Sequence, residues 1–278
     1  MTDAISRVSP TADTPNDVKT NSPARVLTAS VVGTTIEFFD FYVYATAAVL
    51  VFPTLFFPNN DPMTALLASF ATFSIAFFAR PLGAVVFGHF GDRVGRKTTL
   101  VAALLTMGIS TVIIGLLPSY ETAGIIAPLL LALCRFGQGF GLGGEWGGAA
   151  LLATENAPAR KRALYGSFPQ LGAPIGFFFA NGTFLLLSWL LTDEQFMSWG
   201  WRLPFIFSAV LVLIGLYVRV SLLEPPVFAK LASAPTQVLV PLVTLPRFHV
   251  RAIVLGPCIM LAPTKLSYIM TVYSLLLS

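Results

Sequence analysis

The sequence predicts an all-helical integral membrane protein, and its composition, its apolar segments and the positions of its basic residues support that fold class. Apolar residues make up 55% of the 278 residues and charged residues only 11%, whereas a soluble domain carries about 25% charged residues. A chain this poor in charge cannot cover an ordinary water-facing surface. The net charge of +4 does not indicate nucleic-acid binding, because the basic residues form short clusters between apolar segments.

Six apolar segments are long enough for a bilayer-spanning helix, which needs about 20 residues. They lie at residues 26–52, 64–90, 98–118, 123–153, 164–191 and 200–222. A weaker seventh segment is interrupted by Pro257, Pro263 and Lys265. The predicted organisation is therefore a flexible cytoplasmic tail (residues 1–24), a six-span bundle (25–222), a cytoplasmic central connection (223–250) and a partial seventh span (251–278).

Basic residues occur on alternate sides of the predicted spans. They cluster before the first span and after the second, fourth and sixth spans, while the connections at residues 59–61, 119–122 and 192–198 contain no Lys or Arg. Positively charged loops stay on the cytoplasmic side of a membrane. The sequence therefore predicts a multi-pass protein of the plasma or inner membrane with a cytoplasmic amino terminus.

Five ionisable residues interrupt the apolar spans. They are Glu37, Asp40, Arg80, Arg135 and Glu145. Each costs at least about 2.5–3.5 kcal/mol at mid-bilayer, so it needs a partner or a polar cavity. A buried acid beside an arginine can take up and release a proton, and we interpret Glu37, Asp40 and Glu145 as proton-coupling candidates. Ion pairs that only fix the helix register are the alternative.

A charged joint, GHFGDRVGRKTTL at residues 88–100, lies between the second and third spans. Its glycines are expected to permit a tight turn and a close approach of two helices. The stretch resembles the loop signature of the major facilitator superfamily. That resemblance implies an inner gate formed by Gly88, Asp92, Arg93, Gly95, Arg96 and Lys97. A role in topology alone is the alternative for Arg96 and Lys97.

Further motifs resemble one branch of that superfamily, the metabolite:H+ symporter family. RFGQG at residues 135–139 is similar to its fourth-helix motif, which implies that Arg135 and Gln138 line a central cavity and that Arg135 anchors an anionic or zwitterionic substrate. EFFDFYVY, YGSFPQLGAPIGF and WGWRLPF follow the same family pattern in the expected order. The resemblance implies proton-coupled uptake of compounds such as shikimate, 2-oxoglutarate, citrate, proline or betaine.

The resemblance also implies the amino-terminal half of a major facilitator bundle, whose two six-helix halves enclose the substrate. The expected partners are membrane lipid, a small metabolite, a proton and a second six-helix half, so this chain alone is not expected to carry out coupled transport. The alternatives are a truncated or split symporter, an inserted remnant without transport activity, and a membrane sensor. We expect no enzyme, cofactor or metal site, because the sequence contains no nucleophile–base set, metal-ligand spacing or phosphate loop.

Overall fold

The computed structural model describes residues 22–155 and 157–221 together with Leu255, and the regular structure in this part is all helical. Six of its helical segments are long and apolar enough to cross a membrane. The predicted all-helical membrane fold is therefore confirmed. The predicted central connection, the predicted seventh span except Leu255, and nearly all of the predicted tail lie outside the described residues.

The helices of the described part follow the predicted spans in order. They are α1 (Pro23–Leu50), α2 (Phe52–Phe56), α3 (Pro62–Val94), α4 (Arg96–Leu116), α5 (Tyr120–Ala123), α6 (Ile126–Glu155), α7 (Arg162–Ser167), α8 (Gly172–Leu190), α9 (Asp193–Gln195) and α10 (Arg202–Val220). The six spans correspond to α1, α3, α4, α6, α7 with α8, and α10.

The helices differ from uniform spans in two places. The second apolar span ends at Gly91, close to the prediction, but helix α3 continues to Val94, so that Gly95 alone separates α3 from α4. Gly95 has φ 115°, a backbone conformation that glycine adopts without strain. The fifth span is not continuous, because a 3₁₀ turn at Phe168–Leu171 separates α7 from α8. Pro169, the second residue of this turn, lacks the backbone N–H that a continuous α-helix would use.

Close packing between α3 and α6 depends on glycines. A Cβ added to Gly83 would lie 1.9 Å from the carbonyl oxygen of Phe140, and one added to Gly143 would lie 2.1 Å from that of Arg80. Gly139 likewise lies against the backbone of Ala76. These glycines therefore permit the backbones of α3 and α6 to pack closely.

Helices α4 and α10 are joined at both ends by basic side chains. Arg202, the first residue of α10, donates hydrogen bonds to the carbonyl oxygens of Gly115 and Leu117 at 2.9 and 2.7 Å, at the carboxyl end of α4. At the opposite end, Lys97 of α4 donates to the carbonyl oxygen of Val220 at 2.5 Å. Each helix therefore receives a cation at its carboxyl end, where the helix dipole favours positive charge.

The outer face of the bundle is apolar and exposed, as contact with lipid requires. Trp189 exposes 86% of its surface and Phe178 73%, although both are large apolar side chains. At the start of α3, by contrast, Asp61 caps the helix, and its hydrogen bonds with Thr64 lower the pKa of the Asp61 carboxyl. On this outer surface, the charge of Asp61 lies at a helix end, whereas the exposed surface along the spans is apolar.

Candidate functional site

Asp40 lies at the meeting point of α1, α4 and α10, where it is 1% exposed. The hydroxyl of Thr111 donates to its Oδ2 at 2.9 Å, and the hydroxyl of Ser208 donates to its Oδ1 at 2.5 Å. Both carboxylate oxygens thus accept hydrogen bonds from neighbouring helices. Asp40, one of the two predicted acids of the first span, is therefore buried with both carboxylate oxygens hydrogen-bonded.

Arg135 and Gln138 belong to the same hydrogen-bond network. They are three residues apart on α6, a spacing that places two side chains on one helix face. The Arg135 Nη1 donates to the Gln138 Oε1 at 3.0 Å, and the Gln138 Nε2 donates to the hydroxyl of Thr111 at 2.7 Å. A continuous polar path therefore runs from Arg135 through Gln138 and Thr111 to Asp40.

Aromatic rings surround the Arg135 guanidinium. Its Cζ lies 4.0 Å from the ring centroid of Tyr44, 4.5 Å from that of Phe73 and 5.4 Å from that of Phe41. Attraction to aromatic faces stabilises a cation that has lost its water. The Arg135 Nη2 is buried and has no hydrogen-bond partner among the described residues, so this nitrogen has an unused donor.

A small cavity brings four of the candidate residues together. The space that it offers is about 10 Å³, about what one water molecule needs, and far below the volume of small-molecule sites. The lining residues are Glu37, Asp40, Phe41, Ala76, Met107, Arg135, Gln138, Gly139 and Leu142. Glu145, the third predicted proton-coupling residue, is not among them.

Glu145 instead forms a buried ion pair with Arg219 of α10. Glu145 is fully buried, and Arg219 also donates from Nη1 to the carbonyl oxygen of Leu100 in α4 at 2.6 Å. A Cβ on Gly33 of α1 would lie 2.6 Å from the Arg219 Nη2. One arginine therefore contacts three neighbouring helices, and Gly33 leaves space for it.

Arg219, Thr111 and Ser208 were not among the site residues predicted from the sequence. The spacing of residues in α10 contained a signal. Four residues follow one another at intervals of three or four positions: Ser208, Val212, Gly215 and Arg219. All four are buried on one face of the helix. A periodic row of small and polar residues in an apolar helix could have indicated this face.

The predicted gate residues lie where α3 meets α4. Arg93 is exposed in the last turn of α3, Gly95 forms the break, and Lys97 binds α10. Gly88 was expected to permit a close approach of two helices. A Cβ added to Gly88 would have no described atom within 4 Å, so this glycine does not have that role among the described residues. The side chains of Asp92 and Arg96 lie outside the described part of the structure.

Arg80 lies on α3, close to the ring of Phe41, which lines the cavity. Its Cζ is 5.1 Å from the ring centroid of Phe41 and 5.2 Å from that of Phe77.

In the described residues, no group of three or more His, Cys, Asp or Glu side chains is arranged to hold a metal ion. The site that these residues form is thus a buried network of carboxyl, amide, hydroxyl and guanidinium groups.

Comparison with known proteins identifies relatives across most of the chain. The family model described as "Sugar (and other) transporter" matches residues 26–233. The chain is 77% identical over 258 residues to the inner membrane metabolite transport protein YhjE of Escherichia coli (strain K12), which covers 93% of this chain and 59% of that protein. It is 50% identical over 206 residues to the shikimate transporter of the same strain, covering 74% of this chain and 47% of that protein.

Another relative is the proline/betaine transporter of Salmonella typhimurium, at 44% identity over 74% of this chain and 41% of that protein. The chain thus spans 41–59% of the length of these three relatives. All three are named as transport proteins.

Solved structures show the same fold at low sequence identity. The partially occluded inward-open xylose transporter XylE from E. coli matches with a TM-score of 0.68 at 18% identity, over 76% of this chain and 52% of that chain. A crystal structure of a D-xylose–proton symporter matches with a TM-score of 0.66 at 19% identity, over 74% of this chain and 50% of that chain. The chain therefore belongs to the sugar (and other) transporter family and has the fold of an amino-terminal half of a major facilitator bundle.

Proposed function

We propose that this chain forms half of a carrier that takes up a small organic acid or zwitterion together with a proton across the inner membrane. The buried path from Arg135 to Asp40 carries this proposal, because ionisable side chains in a membrane interior are costly and mark substrate or proton routes. The relatives named as shikimate and proline/betaine transporters support the substrate class. In this proposal Glu37, Asp40 and Glu145 are the candidates for proton coupling.

Arg135 is the proposed substrate anchor. Its guanidinium is 1% exposed and still has an unpartnered nitrogen, Nη2, beside the cavity. A carboxylate of the substrate would accept a charge-assisted hydrogen bond from this nitrogen. Gln138 orients the guanidinium through its Oε1, which makes it the second proposed substrate-site residue.

A second six-helix half is proposed to complete the site. The cavity is smaller than an ordinary small-molecule site, so further walls are needed to enclose a substrate. The spans of α3 and of α7 with α8 have the smallest shares of buried residues among the six, which leaves apolar surface for a partner. Carriers of this architecture rock one half against the other about a midplane site.

The charged joint is the proposed inner gate, with the amino terminus in the cytoplasm. Asp92, Arg93, Arg96 and Lys97 follow the second span closely, and Gly95 permits the sharp reversal into α4. Gly88 belongs to the sequence motif, but it has no packing role in the proposed gate. Fixed charges at this membrane face would bind the second half in one state of the transport cycle and release it in the other.

Uptake by an assembled carrier tests the proposal. The assembled carrier consists of residues 1–278 co-expressed with the remaining segment of YhjE and reconstituted in liposomes. Labelled shikimate, proline and glycine betaine are supplied outside, with an inward proton gradient. We expect at least one compound to accumulate, and a protonophore to abolish the accumulation.

Arg135→Ala is expected to abolish this uptake without changing the amount of inserted protein, because the substrate loses its cation. The matched control is Arg160→Ala, since Arg160 is exposed and outside the spans; it should retain uptake. Residues 1–278 alone should not accumulate any of the three compounds. Wild-type uptake by Arg135→Ala would remove Arg135 from the site, and gradient-independent uptake would reject proton coupling.

A further inference from the structure

The Asp40 network joins four helices at one level of the bundle. Asp40 lies on α1, Thr111 on α4, Gln138 on α6 and Ser208 on α10. The three hydrogen bonds that connect these side chains are between 2.5 and 2.9 Å long. Hydrogen bonds weaken steeply when their geometry changes. The network therefore requires that the four helices keep a fixed register.

Arg219 joins the same four helices at a second level. Its guanidinium forms an ion pair with Glu145 of α6 and donates to the carbonyl oxygen of Leu100 in α4 at 2.6 Å. The same guanidinium lies against Gly33 of α1, where an added Cβ would be 2.6 Å from Nη2. Arg219 itself belongs to α10 and is 5% exposed. Every helix of the Asp40 network therefore also contributes to the contacts of Arg219.

The two levels are equally far apart on α4 and on α10. Leu100 and Thr111 are 11 residues apart on α4, and Ser208 and Arg219 are 11 residues apart on α10. Eleven residues make about three helical turns, so both members of each pair lie on one face of their helix. Two stretches of equal length are thus joined at one end by Arg219 and at the other end through Asp40.

The levels are also equally far apart on the other two helices. Gly33 and Asp40 are seven residues apart on α1, and Gln138 and Glu145 are seven residues apart on α6. Seven residues make about two turns, which again returns the chain to the same face. The contacts at the two levels are therefore compatible with a single register of the four helices.

Close apolar packing fills the space between the two levels. A Cβ added to Gly108 of α4 would lie 2.2 Å from the Cγ2 of Val212 in α10. The buried residues of this layer come from the same four helices and are Ile36, Leu104, Met107, Leu142 and Val212. Packed protein interiors have low compressibility and transmit strain. A displacement of α10 at Arg219 would therefore also move Ser208.

We propose that Arg219 is a positioning residue, which sets the register of α10 against its neighbours and thereby directs the Ser208 hydroxyl to Asp40. Its guanidinium suits this role, because a planar, rigid group binds two acceptors at fixed angles through separate nitrogens. The importance of this register for transport rests on the proposed function, whereas the register itself does not.

A double-mutant cycle tests the positioning role through the thermal unfolding midpoint of the full chain in detergent. Ser208 and Arg219 are about 16 Å apart along α10, and substitutions more than about 7–10 Å apart normally have additive effects. The altered background combines Glu145→Gln with Arg219→Met, so that no unpaired charge is left buried. Ser208→Ala should lower the midpoint of the wild type, because Asp40 loses a donor, and should cause a much smaller shift in this background.

Ser69→Ala is the matched control. Ser69 of α3 is also fully buried, and its hydroxyl donates to the carbonyl oxygen of Ala48 in α1 at 2.6 Å. Because Arg219 does not contact α3 through any of these bonds, Ser69→Ala should lower the midpoint equally in both backgrounds. A merely structural ion pair would leave Ser208→Ala equally additive.

Arg219→Lys provides a second background, which keeps the positive charge but lacks the planar guanidinium. Ser208→Ala should again cause a smaller shift than in the wild type. Equal shifts for Ser208→Ala in the wild type and in every background that folds would overturn the inference. Because no substrate is present, this result is independent of whether the transport assay detects uptake.

Discussion

Gly33 determines how much room the Arg219 side chain has between α1 and α10. A Cβ at this position would lie 2.6 Å from the Arg219 Nη2. A free arginine could move aside, but this guanidinium is held by Glu145 and by the carbonyl oxygen of Leu100. The methyl group of an alanine would therefore compete with a buried ion pair for the same space.

Gly33→Ala is expected to destabilise the protein by about 1–3 kcal/mol, the usual cost of overpacking a well-packed interior. The thermal unfolding midpoint in detergent measures the effect. Gly182→Ala is the matched control, because no described atom lies within 4 Å of its Cβ position, and it should not lower the midpoint. Equal midpoints for the two variants would show that Arg219 is not held against α1.

At the scale of helices, α3 contains two glycines in opposite environments. Gly83 lies against the backbone of Phe140, 1.9 Å from its Cβ position to the carbonyl oxygen, whereas Gly88 has no described neighbour within 4 Å. Backbone atoms cannot move aside as a flexible side chain can. An alanine at Gly83 would therefore separate α3 from α6 along the length of their contact.

Gly83→Ala should lower the unfolding midpoint strongly, with a loss of about 3 kcal/mol or more, at or above the upper end of ordinary overpacking costs. Gly88→Ala on the same helix should leave the midpoint unchanged or raise it, because alanine favours a helix over glycine by up to about 1 kcal/mol. A larger effect at Gly88 than at Gly83 would contradict the α3–α6 packing.

The elements show what the sequence could and could not predict. Apolar length predicted all six spans, and the resemblance of RFGQG to the fourth-helix motif implied that Arg135 and Gln138 line a cavity, which they do together with Asp40. The break at Phe168–Leu171 was not predicted, because apolar length does not register a local change of helix type. The Glu145–Arg219 pair was missed because Arg219 lies near a helix end, where a positive charge already has a topological explanation.

At the scale of the whole molecule, the proposed orientation in the membrane depends on which basic residues are exposed and which are bound to other helices. Exposed basic residues cluster at Arg160, Lys161 and Arg162, where α7 begins. Arg202, at the opposite end of the bundle, is instead bound to carbonyl oxygens of α4. A cation bound to a helix end is a structural link, so Arg202 does not contradict the positive-inside rule.

Cysteine labelling of intact cells tests this orientation. Cys134 and Cys258 are first replaced by alanine, and single cysteines are then introduced as Ser198→Cys or Arg160→Cys. Both positions are exposed and lie at opposite ends of the bundle. An impermeant maleimide should label Ser198→Cys in intact cells, but Arg160→Cys only after the membrane is permeabilised. Labelling of Arg160→Cys in intact cells would invert the proposed topology, and the charged joint between α3 and α4 could not then form an inner gate.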